Sequence, residues 1–408
     1  MEKKAKRQRP AFNREIGAAI GKHYQDVQSK NPLAYLLLSS NPLIEVAYAA
    51  DIQPAFPENY SCVCAAKHAS GKYCETAEAH KYASDVCSYC RTHLGHHYEP
   101  GDNPPLGGLP DPDLLLMSSS ACSHYFKWWD TLHEIYSKPL VFVNAPRVME
   151  PQSVPDFYLE FAMKEIEEAI AEIERIVGIK ISHERLSQAV AWSGESVEYW
   201  QKLLELQKAV PCPMDLSDLG NALFVLIVLA GTREGVDLMK KIHAETQQRV
   251  DEGIGILSAE EEKHRLLWLN IPFWYKLDLF GYFENQGCIF PFSDYTQYIW
   301  GTTPMDGSKP IESLARKSLS GELNTSLLDQ SDKLLKDIKE YKIDGVIAHS
   351  NRSCRVLSVG LYDTINIIKE ELNLPTLILD GDHTDERVYS EAGTMQRIEA
   401  FLEMLDPH

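Results

Sequence analysis

The sequence predicts an α/β protein with two doubly wound parallel-sheet domains and a mostly helical domain between them. Residues 29–150 and 269–408 alternate short apolar runs with amphipathic stretches, and this alternation is typical of βαβ units. Residues 151–268 instead carry apolar side chains at helical spacing. Residues 1–28 are expected to form a tail and a helix. A chain of 408 residues is long enough for such a division at about 150 residues per domain. Both sheet domains are expected to be Rossmann-like.

The first sheet domain is predicted from two buried strands and the helices around them. Residues 114–117 and 140–143 are short apolar runs that each follow a turn containing Pro or Asp, and residues 123–136 are predicted as the helix between them. A strand, a crossover helix and a parallel strand in this order form one βαβ unit. Residues 44–50 and 74–84 have the spacing of two further helices.

The middle segment is predicted to consist of helices. Pro155 near the start and Gly178 just past the end mark the first helix, because proline suits the first turn and glycine the position after the last. Further helices are predicted at 182–209, 216–230 and 236–250.

The second sheet domain begins near Asn270, where short apolar runs return. Buried strands are predicted at 288–292, 345–348 and 377–379, and the helices among them include 328–341 and 356–371.

Charge and hydrophobicity narrow the classes of partner. The formal net charge is −19 and the sequence pI is near 5.2, which disfavours a nucleic-acid-binding protein, because such proteins carry a broad basic face. The one basic run, at residues 3–9, is interpreted as a solvated tail rather than a binding arm. The longest apolar run, 222–230, has nine residues against the roughly 20 that cross a bilayer, so no membrane span is predicted. No apolar segment follows the basic run, so a secretory signal is not predicted and a cytoplasmic protein is expected.

The nine cysteines are the residues that indicate most about the protein's possible cofactor. In a reducing compartment an odd number of cysteines does not form a disulfide framework, so they are metal ligands, reactive thiols or core residues. Cys122 and Cys354 each follow a predicted strand and lie where the next helix opens, and Cys87 follows a predicted helix. Parallel sheets bind ligands at the carboxyl ends of their strands, and a helix N-terminus favours the thiolate. Three thiolates from three loops suit an iron–sulfur cluster, although burial in the core is an alternative explanation of the same cysteines.

Other cofactor chemistry has weaker support. Cys87 and Cys90 form a C-x-x-C pair with His93, His96 and His97 close behind, so a zinc site remains an alternative. The chain contains no G-x-G-x-x-G or Walker motif, so dinucleotide binding and direct use of ATP lack support in the sequence.

Several short stretches together carry a resemblance to a known family. They are Phe56-Pro57-Glu58-Asn59, Ser84-Asp85-Val86-Cys87-Ser88-Tyr89 with Arg91-Thr92 and Gly95, Cys122 with Lys127-Trp128, Asn351-Arg352-Ser353-Cys354, and Asp380-Gly381-Asp382 with Asp385 and Arg387. From about residue 30 to its C-terminus the chain resembles the subunits of the 2-hydroxyacyl-CoA dehydratase and benzoyl-CoA reductase family.

The resemblance implies a [4Fe–4S] cluster held by Cys87, Cys122 and Cys354, which match the family's three ligand positions. Three protein ligands leave one iron open for the substrate. The implied reaction eliminates water from an (R)-2-hydroxyacyl-CoA thioester to give a 2-enoyl-CoA. A separate ATP-dependent iron–sulfur activator supplies one electron, the thioester carbonyl becomes a ketyl radical anion, and the neighbouring hydroxyl leaves. The electron is needed because a proton β to a thioester is not acidic.

The resemblance also implies roles for Ser40 and Glu58. Ser40 aligns with a serine near the open iron and would bond the leaving hydroxyl, while its alternative role is to cap the helix that follows. Glu58 aligns with a glutamate that acts as acid or base, while its alternative role is to satisfy backbone N–H groups of a turn. Retention of both residues favours a substrate-binding role for this chain.

The sequence departs from the family pattern at its extra thiols, and this leaves alternatives open. Cys90 stands where alanine is more usual and Cys62 is another unusual thiol, so a double-cubane [8Fe–9S] cluster with added ligands, in a reductase of small molecules, is one alternative. A subunit of the benzoyl-CoA reductase type, which would act on an aromatic acyl-CoA, is a second, and a non-catalytic electron-relay subunit is a third. The resemblance also implies a second homologous subunit, in a homodimer or a heterodimer.

Overall fold

The structure is a computed structural model, and it describes residues 7–38, 40–149, 154–300 and 302–406. Its strands form two four-stranded parallel sheets, so the α/β class and the two parallel sheets of the prediction are confirmed. The division into separate doubly wound and helical domains stays a prediction. Both sheets have the same strand order, in which the first strand in sequence lies between the second and the third.

The first sheet is built from short, mostly buried strands. Tyr35 pairs with Ala55 on one side and with Leu115 on the other, which places the first strand inside the sheet. The strands are β1 (Leu33–Leu36), β2 (Gln53–Ala55), β3 (Leu114–Ser118) and β4 (Leu140–Val143). The helices of this part are α1 (Phe12–Ser29), α2 (Leu43–Ala49), α3 (Pro57–Ala66), α4 (Ser70–Ala79), α5 (Ser88–Tyr98) and α6 (His124–Tyr136). Apolar strands without alternation are typical of a parallel sheet covered on both faces.

Four helices follow, close to their predicted positions. The first ends at Gly178, whose φ of 71° is left-handed and suits a glycine after a helix. The third is almost entirely apolar, and Asp215 and Asp218 close its N-terminus by bonding each other's backbone N–H groups. The four are α7 (Asp156–Val177), α8 (His183–Leu206), α9 (Leu216–Val228) and α10 (Arg233–Asp251).

The second sheet repeats the order of the first. Its strands are β5 (His264–Leu269), β6 (Cys288–Ser293), β7 (Gly345–Asn351) and β8 (Thr376–Gly381). Its helices are α11 (Asp278–Asn285), α12 (Asp294–Gln297), α13 (Pro310–Ser320), α14 (Leu327–Glu340), α15 (Arg355–Ser358), α16 (Leu361–Leu372) and α17 (Glu391–Leu405). Strand β7 ends three residues before Cys354, so this cysteine lies at the carboxyl edge of the second sheet.

Two predicted helices differ from the structure. The single helix predicted at 356–371 is wrong, because the chain breaks between α15 and α16. At the end of α15 the Ser358 hydroxyl bonds both the N–H and the C=O of Asn351. The helix predicted at 74–84 begins earlier and ends at Ala79, two residues before the left-handed Lys81.

The basic run at the N-terminus is not a solvated tail where the structure describes it. The Arg7 guanidinium lies 3.0 Å from the Glu261 carboxylate, and Arg9 lies 2.7 Å from Glu284 and also pairs with Asp215. The earlier residues of the run lie outside the described part of the chain. The interpretation as a tail is therefore wrong for these two arginines, because carboxylates of the middle and last thirds of the chain pair with them.

Within the described ranges, none of the helices combines the length and the apolar character needed to span a membrane.

Candidate active site

Three cysteines stand where a helix begins. Cys87 directly precedes α5, Cys354 directly precedes α15, and Cys122 lies two residues ahead of α6. The sulfur atoms interact with backbone N–H groups of the following turn: that of Cys90 for Cys87, those of His124 and Tyr125 for Cys122, and that of Leu357 for Cys354. Because an N–H donor favours the charged form of its acceptor, each loop stabilises a thiolate.

The three thiols come together from both halves of the chain. Burial raises the pKa of the Cys87 thiol well above its ordinary value, and the nearby thiols of Cys354 and Cys122 raise it further. Burial raises the pKa of Cys354 to about 12, with Cys122 as the second cause, and raises the pKa of Cys122 to about 11. Each thiol is therefore close enough to another to feel its charge. A cationic centre between them would favour all three thiolates.

The donor set consists of three cysteine thiols, the ligand type of iron–sulfur clusters. Within the ranges that the structure describes, no group of three or more His, Cys, Asp or Glu side chains surrounds a single metal-ion position. In a four-iron cluster each thiolate binds a different iron, so the ligands surround a larger body. Cys87, Cys122 and Cys354 are the residues that could hold three irons of such a cluster.

His383 lies against the Cys87 sulfur. The ring is fully buried, and its Nε2 is 3.8 Å from Cys87 Sγ and 3.0 Å from Ser88 Oγ. Burial lowers the pKa of His383 to about 4, so the ring is neutral. Asn351 Oδ1 accepts the backbone N–H of Cys354, and His383 Nδ1 lies 2.9 Å from Asn351 Nδ2 and 3.2 Å from Asn351 Oδ1. When Nδ1 accepts from Asn351 Nδ2, the ring proton is on Nε2 and is directed at Ser88 and Cys87.

Glu58 is a buried carboxyl group beside the thiols. Its Oε2 accepts the Leu38 N–H at 2.8 Å, and its Oε1 accepts the Tyr125 hydroxyl. Burial raises the pKa of Glu58 to about 7, and these two hydrogen bonds oppose the rise. The Tyr125 hydroxyl in turn feels the charges of Cys122 and Cys87. The alternative role of Glu58, satisfying a backbone N–H group, is therefore seen, but the contact with Tyr125 also connects the carboxylate to the thiols.

Ser40 is buried, with a left-handed φ of 46°. Its hydroxyl has no hydrogen-bond partner among the described residues, whereas its backbone C=O accepts the Ser120 hydroxyl at 3.1 Å. The Asn41 side chain accepts the Leu43 N–H at the start of α2, so the capping role considered for Ser40 is wrong. A side chain on Gly321 would collide with Ser40 Oγ, which shows how tightly that loop covers the serine.

A cavity of about 290 Å³ adjoins this group of residues. Leu38, whose N–H binds Glu58, forms part of its wall, and so does Cys62. The Cys62 thiol donates to the Tyr89 hydroxyl at 3.4 Å, and Tyr89 stands two residues after Cys87. Of the other unusual thiols, Cys90 is buried and lies near Cys122.

The comparisons with known proteins now identify the family. The model of the family described as 2-hydroxyglutaryl-CoA dehydratase, D-component, matches residues 42–405. The chain belongs to this family. The match covers Glu58 and all three cysteines and begins two residues after Ser40. The resemblance found in the sequence is confirmed, and with it the prediction of an enzyme of the dehydratase or related reductase type.

Members of the D-component family with known activities align over most of this chain. The α subunit of (R)-2-hydroxyisocaproyl-CoA dehydratase from Clostridioides difficile is 28% identical over 370 residues, which are 89% of this chain and 88% of that subunit. The α subunit of (R)-phenyllactyl-CoA dehydratase from Clostridium sporogenes is 27% identical over 90% of this chain and 88% of its own length. One of the subunits of benzoyl-CoA reductase from Thauera aromatica is 26% identical, with shares of 89% and 87%.

The sequence analysis did not assign two residues of this site. His383 follows β8 at the carboxyl edge of the second sheet, and that position in a parallel sheet is a signal that could have identified it. Tyr125 stands three residues after Cys122, but nothing in the sequence indicates its contact with Glu58, which is 67 residues away along the chain.

Proposed function

We propose that this chain is the iron–sulfur subunit of a radical 2-hydroxyacyl-CoA dehydratase, with Cys87, Cys122 and Cys354 as the ligands of a [4Fe–4S] cluster. The observation that carries the proposal is the convergence of three thiols, each beside backbone N–H groups of the next turn. When bound, the cluster supplies the one-electron reduction of the substrate's thioester carbonyl that makes the β-proton acidic. The substrate is an (R)-2-hydroxyacyl-CoA and the product is the 2-enoyl-CoA.

Glu58 is the residue proposed to move a proton. Its pKa of about 7 populates both the carboxylate and the acid near neutral pH, which is the condition for a group that must accept and return a proton. The Leu38 N–H and the Tyr125 hydroxyl fix the orientation of the carboxyl group. The acid form of Glu58 protonates the leaving hydroxyl, which departs as water, and the resulting carboxylate then takes the β-proton, which restores the acid.

Ser40 is proposed to bind the hydroxyl that leaves. A buried hydroxyl without a partner is costly, so a hydrogen bond to a substrate oxygen would satisfy it. In this role Ser40 donates to the substrate's 2-hydroxyl oxygen and orients it for departure.

The partners of the chain are proposed from its relatives. Several of them are named as α subunits, which supports a second homologous subunit in the working enzyme. We propose a separate ATP-dependent iron–sulfur activator as the electron donor.

Anaerobic purification with iron and sulfide quantification, followed by EPR after reduction with dithionite, tests the proposal. We expect about four irons per chain, as one [4Fe–4S] cluster requires. The Cys354→Ala variant should lose the EPR signal and most of the iron. Cys288→Ala is the matched control, since Cys288 is a buried cysteine that lies in β6 away from the other thiols, and it should keep both.

The outcomes separate the alternatives. About eight irons per chain would favour the double-cubane cluster, as the larger assembly requires. Zinc or no metal would overturn the cluster. Supplied with the activator, the enzyme should form 2-enoyl-CoA, whereas reduction of benzoyl-CoA without loss of water would assign it to the reductase branch.

A further inference from the structure

The cavity beside Glu58 is apolar and carries no charge. Its volume is about 290 Å³, and its described lining contains no Asp, Glu, Lys, Arg or His side chain. The walls come from three parts of the chain: Leu38 and Cys62 from the first, α9 from the middle, and Trp274, Phe280 and Trp300 from the last. These walls include Leu38, whose N–H binds Glu58, and Tyr295, whose hydroxyl feels the charges of Glu58 and Cys354, so the cavity lies next to the residues of the proposed chemistry.

Four of the polar groups in the lining are already paired within the protein. The Asn59 side chain accepts the Tyr24 hydroxyl at 2.8 Å, and Asn221 donates to Asn13 at 2.9 Å. The Trp274 indole N–H donates to Tyr89 at 2.6 Å, and the Trp300 indole N–H donates to a backbone C=O at 2.6 Å. A ligand in this cavity therefore gains little from hydrogen bonds and much from the burial of its apolar surface.

A glycine inside α9 keeps part of this space open. Gly220 lies in the middle of the helix and lines the cavity, and a Cβ added there would meet no atom within 4 Å beyond its own helix. Glycine in a helix interior is less stable than alanine, so the missing side chain costs stability without relieving a clash. The consequence of the glycine at this position is a larger cavity.

We propose that this cavity binds the acyl chain of the thioester and selects an apolar chain, branched aliphatic or aromatic, over one that ends in a second carboxylate. The inference rests on the proposed function and names its substrate class. A cavity of roughly 150 Å³ is sufficient for benzene, so the larger volume here accommodates a phenyl or branched alkyl group with its methylene links. A carboxylate placed against this uncharged lining would lose its hydration without gaining a partner.

Calorimetric titration of the anaerobic enzyme with thioesters that lack the 2-hydroxyl group tests this selection without turnover. The probes are 4-methylpentanoyl-CoA, glutaryl-CoA and acetyl-CoA. We expect 4-methylpentanoyl-CoA to bind at least about tenfold more tightly than glutaryl-CoA, the size of effect that methyl groups produce in an apolar pocket. Gly220→Leu should remove most of that advantage and leave the binding of acetyl-CoA unchanged, because only the longer chain reaches the added side chain.

The control is Gly17→Leu, which makes the same replacement in the exposed face of α1, where a Cβ also meets nothing within 4 Å. It should alter none of the affinities. Ser217→Lys, on the cavity wall at the start of α9, is a second variant that introduces a cation and should shift the preference towards glutaryl-CoA. Equal affinity of the wild type for the two longer thioesters, or an unchanged preference in both variants, would overturn the inference.

Failure of the proposed function gives a different result. One outcome is that the thioesters bind with the expected preference while no hydroxyacyl-CoA is dehydrated in the presence of an activator. That result would contradict the proposed dehydratase reaction and support the acyl-chain site. If dehydration occurs but glutaryl-CoA binds as well as 4-methylpentanoyl-CoA, the reaction stands and the selection is wrong.

Discussion

At the scale of single residues, the contact between His383 and Cys87 bears on the reduction potential of the proposed cluster. A hydrogen bond to a ligand sulfur stabilises the added negative charge of a reduced cluster and so raises its reduction potential. His383→Leu removes the Nε2–H group that lies 3.8 Å from the sulfur, and we expect a more negative potential in an EPR-monitored redox titration. His383→Gln keeps an N–H donor and should shift the potential less. An unchanged potential in the leucine variant at full iron content would show that the contact has no such effect.

The residues of the site differ in how far the sequence alone could predict them. Cys122 and Cys354 were identified because each stands where a strand gives way to a helix, and this is a local pattern. The partner of Cys87 could not be identified in that way, because His383 is 296 residues away along the chain. The unpaired hydroxyl of Ser40 is likewise visible only when its surroundings are folded. The resemblance to the family supplied the roles, and the structure supplied the contacts.

At the scale of elements, Arg91 joins α5, the helix that begins after Cys87, to the turn that follows β8. The guanidinium is 2% exposed and lies 2.7 Å from Asp385, 2.8 Å from Glu78 and 3.6 Å from Asp382. Its Nε–H also donates to a backbone C=O just before Cys87, at 2.9 Å. This one side chain therefore holds the Cys87 loop against the second sheet.

Replacing Arg91 by leucine should weaken the attachment of the Cys87 loop to the second sheet. The change removes the cation beside the buried Asp382 and leaves Asp385 with Arg387 alone, and breaking a buried ion pair in this way costs about 3–5 kcal/mol of unfolding free energy. Chemical denaturation measures the loss, and iron content should fall with it because Cys87 is no longer held in place. Arg175→Leu in α7 removes an exposed pair with Glu172 and should change neither quantity. Wild-type stability in the Arg91 variant would contradict this role.

Helices with a clear apolar spacing were predicted well, whereas the short strands were predicted unevenly. The limits of β4 agree with the prediction, and α7 was found from its apolar spacing between a proline and a glycine. β1 and β2 have four and three residues, which is too short for any period to show, and neither was predicted. β5 begins at His264, inside the segment predicted as helical. This strand was not predicted, because its apolar run lacks the alternation of apolar and polar residues that would mark a strand.

At the scale of the whole molecule, the N-terminal segment is held by carboxylates from distant parts of the chain. Arg9 pairs with Asp215, with Glu284 and, at 3.9 Å, with Asp218, and the Asn13 amide donates to Asp218 at 2.6 Å. Asp215 and Asp218 close the N-terminus of α9, whose side chains line the cavity, and Glu284 belongs to α11 beside the second sheet. One arginine faces three buried carboxyl groups. These carboxyl groups therefore hold protons in the folded protein that an unfolded chain would release.

The unfolding free energy should depend on pH through these buried carboxyl groups. Burial and the neighbouring Asp215 raise the pKa of Asp218 to about 8, and the same two causes raise that of Glu284 to about 7. In the unfolded chain these groups titrate near 4, so the folded protein holds more protons between about pH 4 and pH 8. The contribution to stability is therefore complete below pH 4 and is lost as the pH rises through 7 and 8.

Asp218→Asn keeps an oxygen for the Asn13 amide but cannot ionise, so the decline in unfolding free energy between pH 6 and pH 9 should be smaller than in the wild type. Chemical denaturation of the wild type and the variant at pH 6 and pH 9 measures this difference. An equally steep decline in the variant would show that Asp218 does not retain its proton.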